Sequence, residues 1–149
     1  SLGRPEAAVV AIESGASVAF EGEVVLDPEF ASALDDLDGF ERVWLLTWLD
    51  RADAYRLKVV PYRDTELRGL FATRAPCRPN AIGLSVVRLV EREGRTLRVT
   101  GVDLLDGTPL LDIKPYIAVT DAWPDARAGW LDNSTVDRRV ADDRFHREA

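Results

Sequence analysis

Residues 68–85 read Arg68-Gly-Leu-Phe-Ala-Thr-Arg-Ala-Pro-Cys-Arg-Pro-Asn-Ala-Ile-Gly-Leu-Ser85. The apolar start of this run, residues 69–73, predicts a short strand, and a second strand is expected to begin at Gly83. Pro76 and Pro79 lie between the two. Each proline fixes its own backbone angle and favours an extended residue before it. The run therefore predicts a stiff loop between two strands, which is a common place for functional side chains.

The loop carries three polar side chains, Arg74, Arg78 and Asn80. Two guanidinium groups on a stiff loop suit a phosphate, a carboxylate or the flat face of a base. The alternative is that these side chains hydrogen-bond loop carbonyls and only support the loop, an interpretation that suits Asn80 better than Arg74. The sequence thus predicts an anion-binding loop and leaves the supporting role open.

A second stretch, residues 101–116, is rich in carboxylates. Asp106 starts an Asp-Gly dipeptide typical of turns, and Asp103 and Asp112 stand on either side of it. Three carboxylates could bind a divalent cation, or Asp106 could make the turn while Asp112 pairs with Lys114 or an arginine. We favour a third interpretation, in which the carboxylates accept hydrogen bonds from hydroxyl or amino groups of a ligand.

The composition limits the class of protein. The chain has 149 residues, of which 46% are hydrophobic and 30% charged, and this predicts one folded domain. The formal net charge of −7 argues against broad nucleic-acid binding, which needs a basic surface. A local cationic site on an acidic protein would still favour one particular anion. Basic residues in or beside the two stretches are Arg68, Arg74, Arg78 and Lys114.

The cysteine and histidine counts and the length of the apolar runs limit the expected compartment, metal content and membrane association. The single cysteine, Cys77, rules out an intrachain disulfide and fits a reducing compartment. One cysteine and one histidine, His146, predict no zinc site of a usual kind, and Cys77 is interpreted as a bystander thiol. No apolar run is long enough to cross a bilayer, and we expect no signal segment at the start of the chain. We expect a cytoplasmic protein with no membrane partner and no metal.

Apolar runs bounded by turn residues predict an all-β fold. Short strands at even spacing favour a closed or nearly closed β-barrel of about eight mostly antiparallel strands, with one short helix. We expect one domain over residues 1–149, with a core at about 7–131 and a peripheral charged tail at 132–149. The predicted strands are 7–14, 18–26, 42–49, 55–62, 69–73, 84–92, 95–105 and 110–119.

The helix is expected between Asp27-Pro28, where aspartate and proline are typical of a helix start, and Gly39. Trp44 and Trp48 alternate with smaller residues on a predicted strand and are expected in the core. Four apolar residues at helical spacing predict the buried face of the helix: Phe30, Ala33, Leu34 and Leu37.

Two long motifs, Phe71 to Ser85 and Asp103 to Tyr116, closely resemble those of the TsaA-like (TrmO) family. The run from Glu21 to Phe30 and the late Gly129-Trp-Leu131 are similar too, so the resemblance covers roughly residues 20–131. It implies a β-barrel methyltransferase that uses S-adenosylmethionine. Characterised members methylate N6 of threonylcarbamoyladenosine at position 37 of a tRNA. They are homodimers with the cofactor near the subunit contact.

The resemblance also implies roles for individual residues. Carboxylates would favour the cationic sulfonium of the cofactor, and leucines would give its adenine an apolar slot. The positions that would contact the cofactor are Asp50, Arg51, Arg74, Leu84, Asp103, Leu104, Leu105 and Asp106. The positions that would face tRNA phosphate or the threonyl carboxylate are Arg78, Asn80 and Lys114. No catalytic base is identified.

Three features depart from the family pattern. The family's first strand runs into a Ser-Pro and a long Pro-Arg-Gln loop that touches the cofactor, whereas here residues 9–14 run into Gly15 and the loop is missing. The pair after the Trp-rich strand usually begins with His and is here Asp50-Arg51. We also expect no counterpart of the tRNA-recruiting C-terminal domain of some members, which short members lack as well. The alternative function is therefore a non-catalytic or differently specific barrel that binds S-adenosylmethionine or a nucleotide.

Overall fold

The computed structural model describes residues 8–12, 21–62 and 64–133. The predicted charged tail beyond residue 133, with His146, and the segment that follows Ile12 up to residue 20 lie outside these residues. The described chain groups into two compact units, one within Ser1–Ala54 and Pro76–Asp121 and the other within Tyr55–Ala75 and Ala122–Ala149. The assignment to a single domain stays a prediction.

Strands dominate the described residues, and the prediction of a mostly β fold is confirmed. The short helices comprise three 3₁₀ helices, Pro28–Leu34, Leu70–Ala72 and Gly129–Asn133, and one α-helix, Ala118–Asp121. The strands are β1 Ala8–Ile12, β2 Glu21–Leu26, β3 Arg42–Trp48, β4 Lys58–Val59, β5 Arg68–Gly69, β6 Ile82–Glu93, β7 Thr96–Thr100 and β8 Thr108–Pro115.

The first unit holds an antiparallel sheet in the order β2-β7-β6-β3-β8. Strand β1 pairs antiparallel with β2 at one edge of this sheet and with β8 at the other. The remaining strands, β4 and β5, form a separate two-stranded sheet. The sequence predicts about eight strands in one barrel. In the structure, only the other six described strands pair with one another.

The hairpin of β6 and β7 lies where the sequence predicts it. The turn falls at the Glu93-Gly94 pair, and Gly94 has a φ of +61°, which glycine adopts without steric cost. The predicted strand over residues 69–73 is wrong. Strand β5 ends at Gly69, and a 3₁₀ helix follows. The predicted strand over residues 55–62 shortens to Lys58–Val59.

Alternation along β3 separates core from surface. Val43, Leu45 and Thr47 are fully buried. Trp44 and Trp48 are only half-buried on the opposite face, so the prediction that they lie in the core is wrong. The smaller residues face inward because side chains on a strand alternate between faces, and the space inside is taken by aliphatic partners from other strands, such as Val24, Val87, Leu97, Val99 and Leu110.

The predicted helix forms after Asp27, with Pro28 at its first position, but it is a 3₁₀ helix that ends at Leu34. In a 3₁₀ helix residues three apart share a row. Leu34 is buried against the core, whereas Phe30 and Ala33 share another row and are exposed. The predicted buried face is therefore wrong for Phe30 and Ala33. Leu37 lies beyond the helix and packs partly buried against the core.

The second unit is organised around Leu70, which is buried and whose amide N–H donates to the carbonyl of Leu57 at 2.9 Å. Trp130 donates its indole N–H to the carbonyl of Ala72 at 2.9 Å, and the Arg68 guanidinium lies 5.1 Å from the Trp130 ring centre. These contacts join residues 129–133 to the segment that leads into Arg74. Among the described residues, no helix has the length and apolar character needed to cross a membrane.

Candidate functional site

The segment between β7 and β8 forms the predicted turn. Gly107 has a φ of +82°. The amide N–H and the hydroxyl of Thr108 both donate to the carbonyl of Leu105, at 3.1 Å and 2.6 Å. Arg51 Nη2 donates to the carbonyl of Asp106 at 2.6 Å. Two residues that the sequence assigned to one site, Arg51 and Asp106, are therefore in contact, through a backbone atom of the second.

The side chains of this segment differ in exposure. Asp103 and Asp106 are exposed, and Leu105 is 60% exposed. Leu104 is half-buried and packs against the core of the first unit. The segment thus offers two carboxylates and one apolar side chain to solvent, while Leu104 anchors it. Three leucines are assigned to the apolar slot, Leu84, Leu104 and Leu105, and of the two in this segment Leu105 is the accessible one.

A second group of predicted residues lies on the outer face of β6, β3 and β8. Leu84 pairs with Leu46, and Leu46 pairs with Asp112, so these side chains share one face. Lys114 pairs with Trp44 on the same face. Leu84 is 62% exposed. The sheet therefore places an exposed leucine, a carboxylate and an ammonium group on a single surface.

The pairing of Asp112 with Lys114, one of the alternatives raised by the sequence, is present at 3.1 Å. Both side chains are about half exposed or more, so the ion pair is screened by solvent and contributes little to stability. Lys114 and Asp112 are therefore held near each other on the outer face without being removed from water.

The Pro-rich loop divides between the two units. In the first unit, Arg78 and Cys77 are half-buried, Cys77 is a free thiol, and Asn80 is exposed. The carbonyl of Ala81 accepts a hydrogen bond from the amide of Leu49 at 2.7 Å. The end of the loop is therefore joined to the turn after β3 that carries Asp50 and Arg51.

Arg74 belongs to the second unit and is exposed. The hydroxyl of Thr73 donates to the carbonyl of Leu70 at 2.8 Å, and the amide of Ala75 contacts the same hydroxyl at 3.4 Å. The backbone on both sides of Arg74 is held by these bonds. No carboxylate in the described part of the chain forms an ion pair with Arg74.

In the described part of the chain, the predicted site residues form no metal-binding group, and they do not line the pocket on β2, β6 and β7. Within residues 21–62 and 64–133, no group of three or more His, Cys, Asp or Glu side chains is arranged to hold a metal ion. A pocket of about 280 Å³ lies on β2, β6 and β7, lined in part by Glu21, Glu23, Glu93 and Arg98. None of the residues assigned to the site lines it.

Sequence reasoning missed the role of Trp44. Its indole N–H donates to Asp121 Oδ2 at 2.9 Å, and its ring packs against Tyr116 with centroids 5.8 Å apart. The amide of Ile117 donates to the same carboxylate oxygen at 3.0 Å. Both donors hold the pKa of Asp121 below its usual value, and the Trp44 indole has the larger effect. The signal in the sequence is the alternation of Trp44 with Val43 and Leu45, since these smaller side chains fill the interior more readily than an indole.

Thr47 is the second residue that sequence reasoning missed. Its hydroxyl is buried and has no hydrogen-bond partner among the described residues. Gly83 lies opposite it on β6, and a Cβ added there would collide with this hydroxyl. The glycine that opens the second strand of the loop motif is therefore required by close packing.

Comparison with known proteins identifies relatives over most of the chain. The family model for the N-terminal domain of tRNA-methyltransferase O matches residues 6–122. A probable S-adenosyl-L-methionine-binding protein of Pyrococcus abyssi is 47% identical over 138 residues, which cover 91% of this chain and 75% of the relative. The mouse tRNA (adenine(37)-N6)-methyltransferase is 39% identical over 124 residues, which cover 81% of this chain and 28% of the relative.

A solved structure supports the same relationship. The crystal structure of TrmO from Pseudomonas aeruginosa superposes with a TM-score of 0.69 at 34% identity, over 95% of this chain and 72% of that chain. A second TrmO crystal structure gives a TM-score of 0.68 at 39% identity, over 84% of this chain and 62% of that chain.

Proposed function

Because the chain belongs to the family of the tRNA-methyltransferase O N-terminal domain, we propose that it is an S-adenosylmethionine-dependent methyltransferase that acts on N6 of adenine 37 in a tRNA. The observation that carries the proposal is the match over residues 6–122, which contains both loops described above. We further propose that the acceptor is threonylcarbamoyladenosine, as the motif resemblance implies.

The exposed side chains fit the proposed cofactor. S-adenosylmethionine supplies an electrophilic methyl group on a cationic sulfonium, and nearby carboxylates favour a cation. Asp103 and Asp106 are exposed carboxylates on one short segment, and Leu105 beside them is an exposed apolar group for a base. The residues proposed to contact the cofactor are Asp50, Arg74, Leu84, Asp103, Leu104, Leu105 and Asp106. Arg51 belongs to the site through its hydrogen bond to the Asp106 carbonyl.

We assign the anionic substrate to basic side chains of the two loops. The whole chain is acidic, with a net charge of −7, so binding of tRNA depends on local positive charge. Arg78 and Lys114 would contact phosphate or the threonyl carboxylate, and Asn80 would donate from its amide. Arginine presents several donors in a fixed plane, which suits both anions.

The proposed reaction depends mainly on the relative positions of the N6 nitrogen and the cofactor methyl group. The N6 nitrogen of an acylated adenine is amide-like and a weak nucleophile. Its attack therefore depends on holding the nitrogen in line with the methyl group, an effect that contributes large rate factors in enzymes. The residues of this chain bind the cofactor and the tRNA and orient them for this attack. No side chain is assigned as the base.

Three further features belong to the proposal. The pairing of β1 with both β2 and β8 supports a closed β-barrel of six strands. Large exposed apolar side chains in the second unit, including Leu57 at 74% and Phe71 at 79%, support a homodimer. We also propose a cytoplasmic location, where tRNA is available.

A second candidate function is binding of the cofactor without methyl transfer. It is favoured by the missing Pro-Arg-Gln loop and by the names of three archaeal relatives, each given as a probable S-adenosyl-L-methionine-binding protein. It shares the cofactor site with the first proposal and differs in having no tRNA substrate.

Transfer of a labelled methyl group separates the two candidates. The protein would be incubated with methyl-labelled S-adenosylmethionine and tRNA from cells that lack this modification, and the nucleosides would be analysed by mass spectrometry. The enzyme proposal expects methylated threonylcarbamoyladenosine. It also expects an Arg78→Ala variant to lose transfer while the control Arg88→Ala, on an exposed position of β6, keeps it. No label in tRNA, with cofactor binding intact, would favour the second candidate.

A further inference from the structure

Arg51 and the backbone of Asp106 form a contact that no motif explains. Arg51 lies in the turn after β3, and its Nη2 donates to the Asp106 carbonyl at 2.6 Å across 55 positions of the chain. The turn itself is held by a hydrogen bond from the amide of Ala52 to the carbonyl of Leu49 at 3.1 Å. A charged donor on a fixed turn therefore reaches a carbonyl of the segment between β7 and β8.

Gly107 follows Asp106 and leaves space for this contact. Its φ of +82° is a conformation that side-chain-bearing residues rarely adopt. A Cβ added to Gly107 would also lie 3.0 Å from Arg51 Nη2. The carbonyl of Leu105 is bound by Thr108, as described above. The two carbonyls that precede the glycine are thus both occupied, and the glycine leaves room for the guanidinium.

Charge argues against a direct contact between Arg51 and a sulfonium. A guanidinium and a sulfonium are both cations, and like charges at short range repel each other. The same guanidinium satisfies a carbonyl dipole at no such cost. The position of Arg51 therefore suits a residue that fixes the conformation of residues 103–106, which carry the carboxylates.

We propose that Arg51 is a positioning residue for residues 103–106 and acts on cofactor binding through the Asp106 carbonyl. The inference rests on the proposed function, because the segment matters for activity only if it holds the cofactor. Arg51 fixes the direction of the peptide at Asp106, and this direction sets where the Asp103 and Asp106 carboxylates and the Leu105 side chain point.

The test combines two measurements on the full chain. The first is hydrogen exchange of a peptide spanning residues 101–110 without cofactor, and the second is calorimetric titration with S-adenosylmethionine. Arg51→Ala is expected to speed exchange and to weaken binding by roughly tenfold, the factor that loss of one charged hydrogen bond gives. Arg51→Lys keeps one donor and is expected to recover part of both.

Two more variants make the test specific. Gly107→Ala is expected to weaken binding while the Arg51 charge remains, because alanine is strained at a φ of +82° and its methyl group crowds the guanidinium. Arg95→Ala is the matched control, since Arg95 Nη1 also donates to a backbone carbonyl, that of Leu26 at 3.0 Å, at a place with no assigned site residue. This control is expected to change neither the exchange of 101–110 nor cofactor affinity.

Each outcome decides a separate question. Wild-type affinity and unchanged exchange in Arg51→Ala would overturn the inference and leave the proposed function standing. Weaker binding with unchanged exchange, no recovery in Arg51→Lys and normal binding by Gly107→Ala would mean that Arg51 contacts the ligand directly, which also overturns it. If the wild-type protein binds no cofactor, the proposed function fails, and the inference that rests on it fails with it.

Discussion

Trp44 and Asp121 lie 77 positions apart in the chain and share a hydrogen bond in which the indole N–H donates to a carboxylate oxygen at 2.9 Å. The bond joins the outer face of β3 to the short helix Ala118–Asp121. The same oxygen accepts the amide N–H of Ile117, so the carboxylate closes the helix on itself as well. One aspartate thus ties the end of the first unit to the face that carries Leu84 and Lys114.

The Asp121 carboxylate is expected to stabilise the fold in a pH-dependent way. Because Trp44 and Ile117 donate to it, its pKa in the folded protein lies below the usual value of 3.8. Its contribution is therefore complete above pH 3.8 and is lost as the pH falls below that value through the folded pKa. The free energy of unfolding would be measured by urea titration between neutral and acidic pH for the wild type and for Asp121→Asn.

The difference between these two proteins is expected to be constant near neutral pH and to shrink in acid. Asp125→Asn serves as the control, since Asp125 is exposed and has no hydrogen bond among the described residues. A difference that stays constant into strong acid would contradict the assignment of this carboxylate as a paired acceptor.

Replacing Thr47 by valine is expected to stabilise the protein. The hydroxyl is buried without a partner in the described chain, and an unsatisfied buried polar group costs about 1 kcal/mol or more. Valine has nearly the same shape and suits a strand. Chemical denaturation should give a free energy of unfolding about 1 kcal/mol higher for Thr47→Val. A lower value would show that the hydroxyl has a partner, such as a bound water.

Gly83→Ala is expected to destabilise the protein by about 1–3 kcal/mol, the usual cost of overpacking. Its Cβ would collide with the Thr47 hydroxyl and lie 3.1 Å from Leu49 Cδ2. The double variant with Thr47→Ala removes the first of these contacts. It should therefore show a coupling energy that brings the loss well below the sum of the two single changes. Additive losses would mean that the collision is not the cause.

Trp130 is expected to stabilise the segment that leads into Arg74. Trp130→Phe removes the indole donor to Ala72 and should cost about 1 kcal/mol, while it keeps an aromatic face for Arg68. Trp130→Ala removes both contacts and should cost more, because a cation over an aromatic face contributes about 0.5–1 kcal/mol at an exposed site. Exchange of the amides of residues 70–75 would rise in the same order. Equal effects in the two variants would indicate that only the indole hydrogen bond matters, because Trp130→Phe keeps an aromatic ring.

Two leucines separate stability from binding. Leu45→Ala opens a cavity in the core and should lower the free energy of unfolding by about 2–5 kcal/mol. Leu84 is 62% exposed, so Leu84→Ala should change stability little and should weaken cofactor binding. Denaturation and calorimetry on both variants test the pair. Unchanged cofactor affinity in Leu84→Ala would remove this residue from the proposed site.

Sequence patterns predicted the local features that depend on a few neighbouring residues. The Asp106-Gly107 turn and the hairpin at Gly94 follow from glycine's access to positive φ, and both form as predicted. The strand alternation in β3 was also recognised. The expectation that Trp44 and Trp48 face the core is wrong, because which face is interior depends on partners from distant strands.

Other features could not be read from the sequence because they join distant segments. The contacts of Arg51 with Asp106 and of Trp44 with Asp121 span 55 and 77 positions. The apolar run at residues 69–73 was predicted as a strand, but its local hydrogen bonds make a 3₁₀ helix after Gly69. The residue set of the site came from motif resemblance, and the structure adds which of those side chains are exposed.

Calorimetric titration of the purified protein with S-adenosylmethionine and with its demethylated product tests the central claim most directly. We expect saturable binding of both ligands by the wild-type protein and weaker binding by Arg74→Ala, whose side chain is exposed on the loop proposed to bind anions. Absence of binding at millimolar ligand in a folded protein would rule out the proposed cofactor site, on which both candidate functions depend.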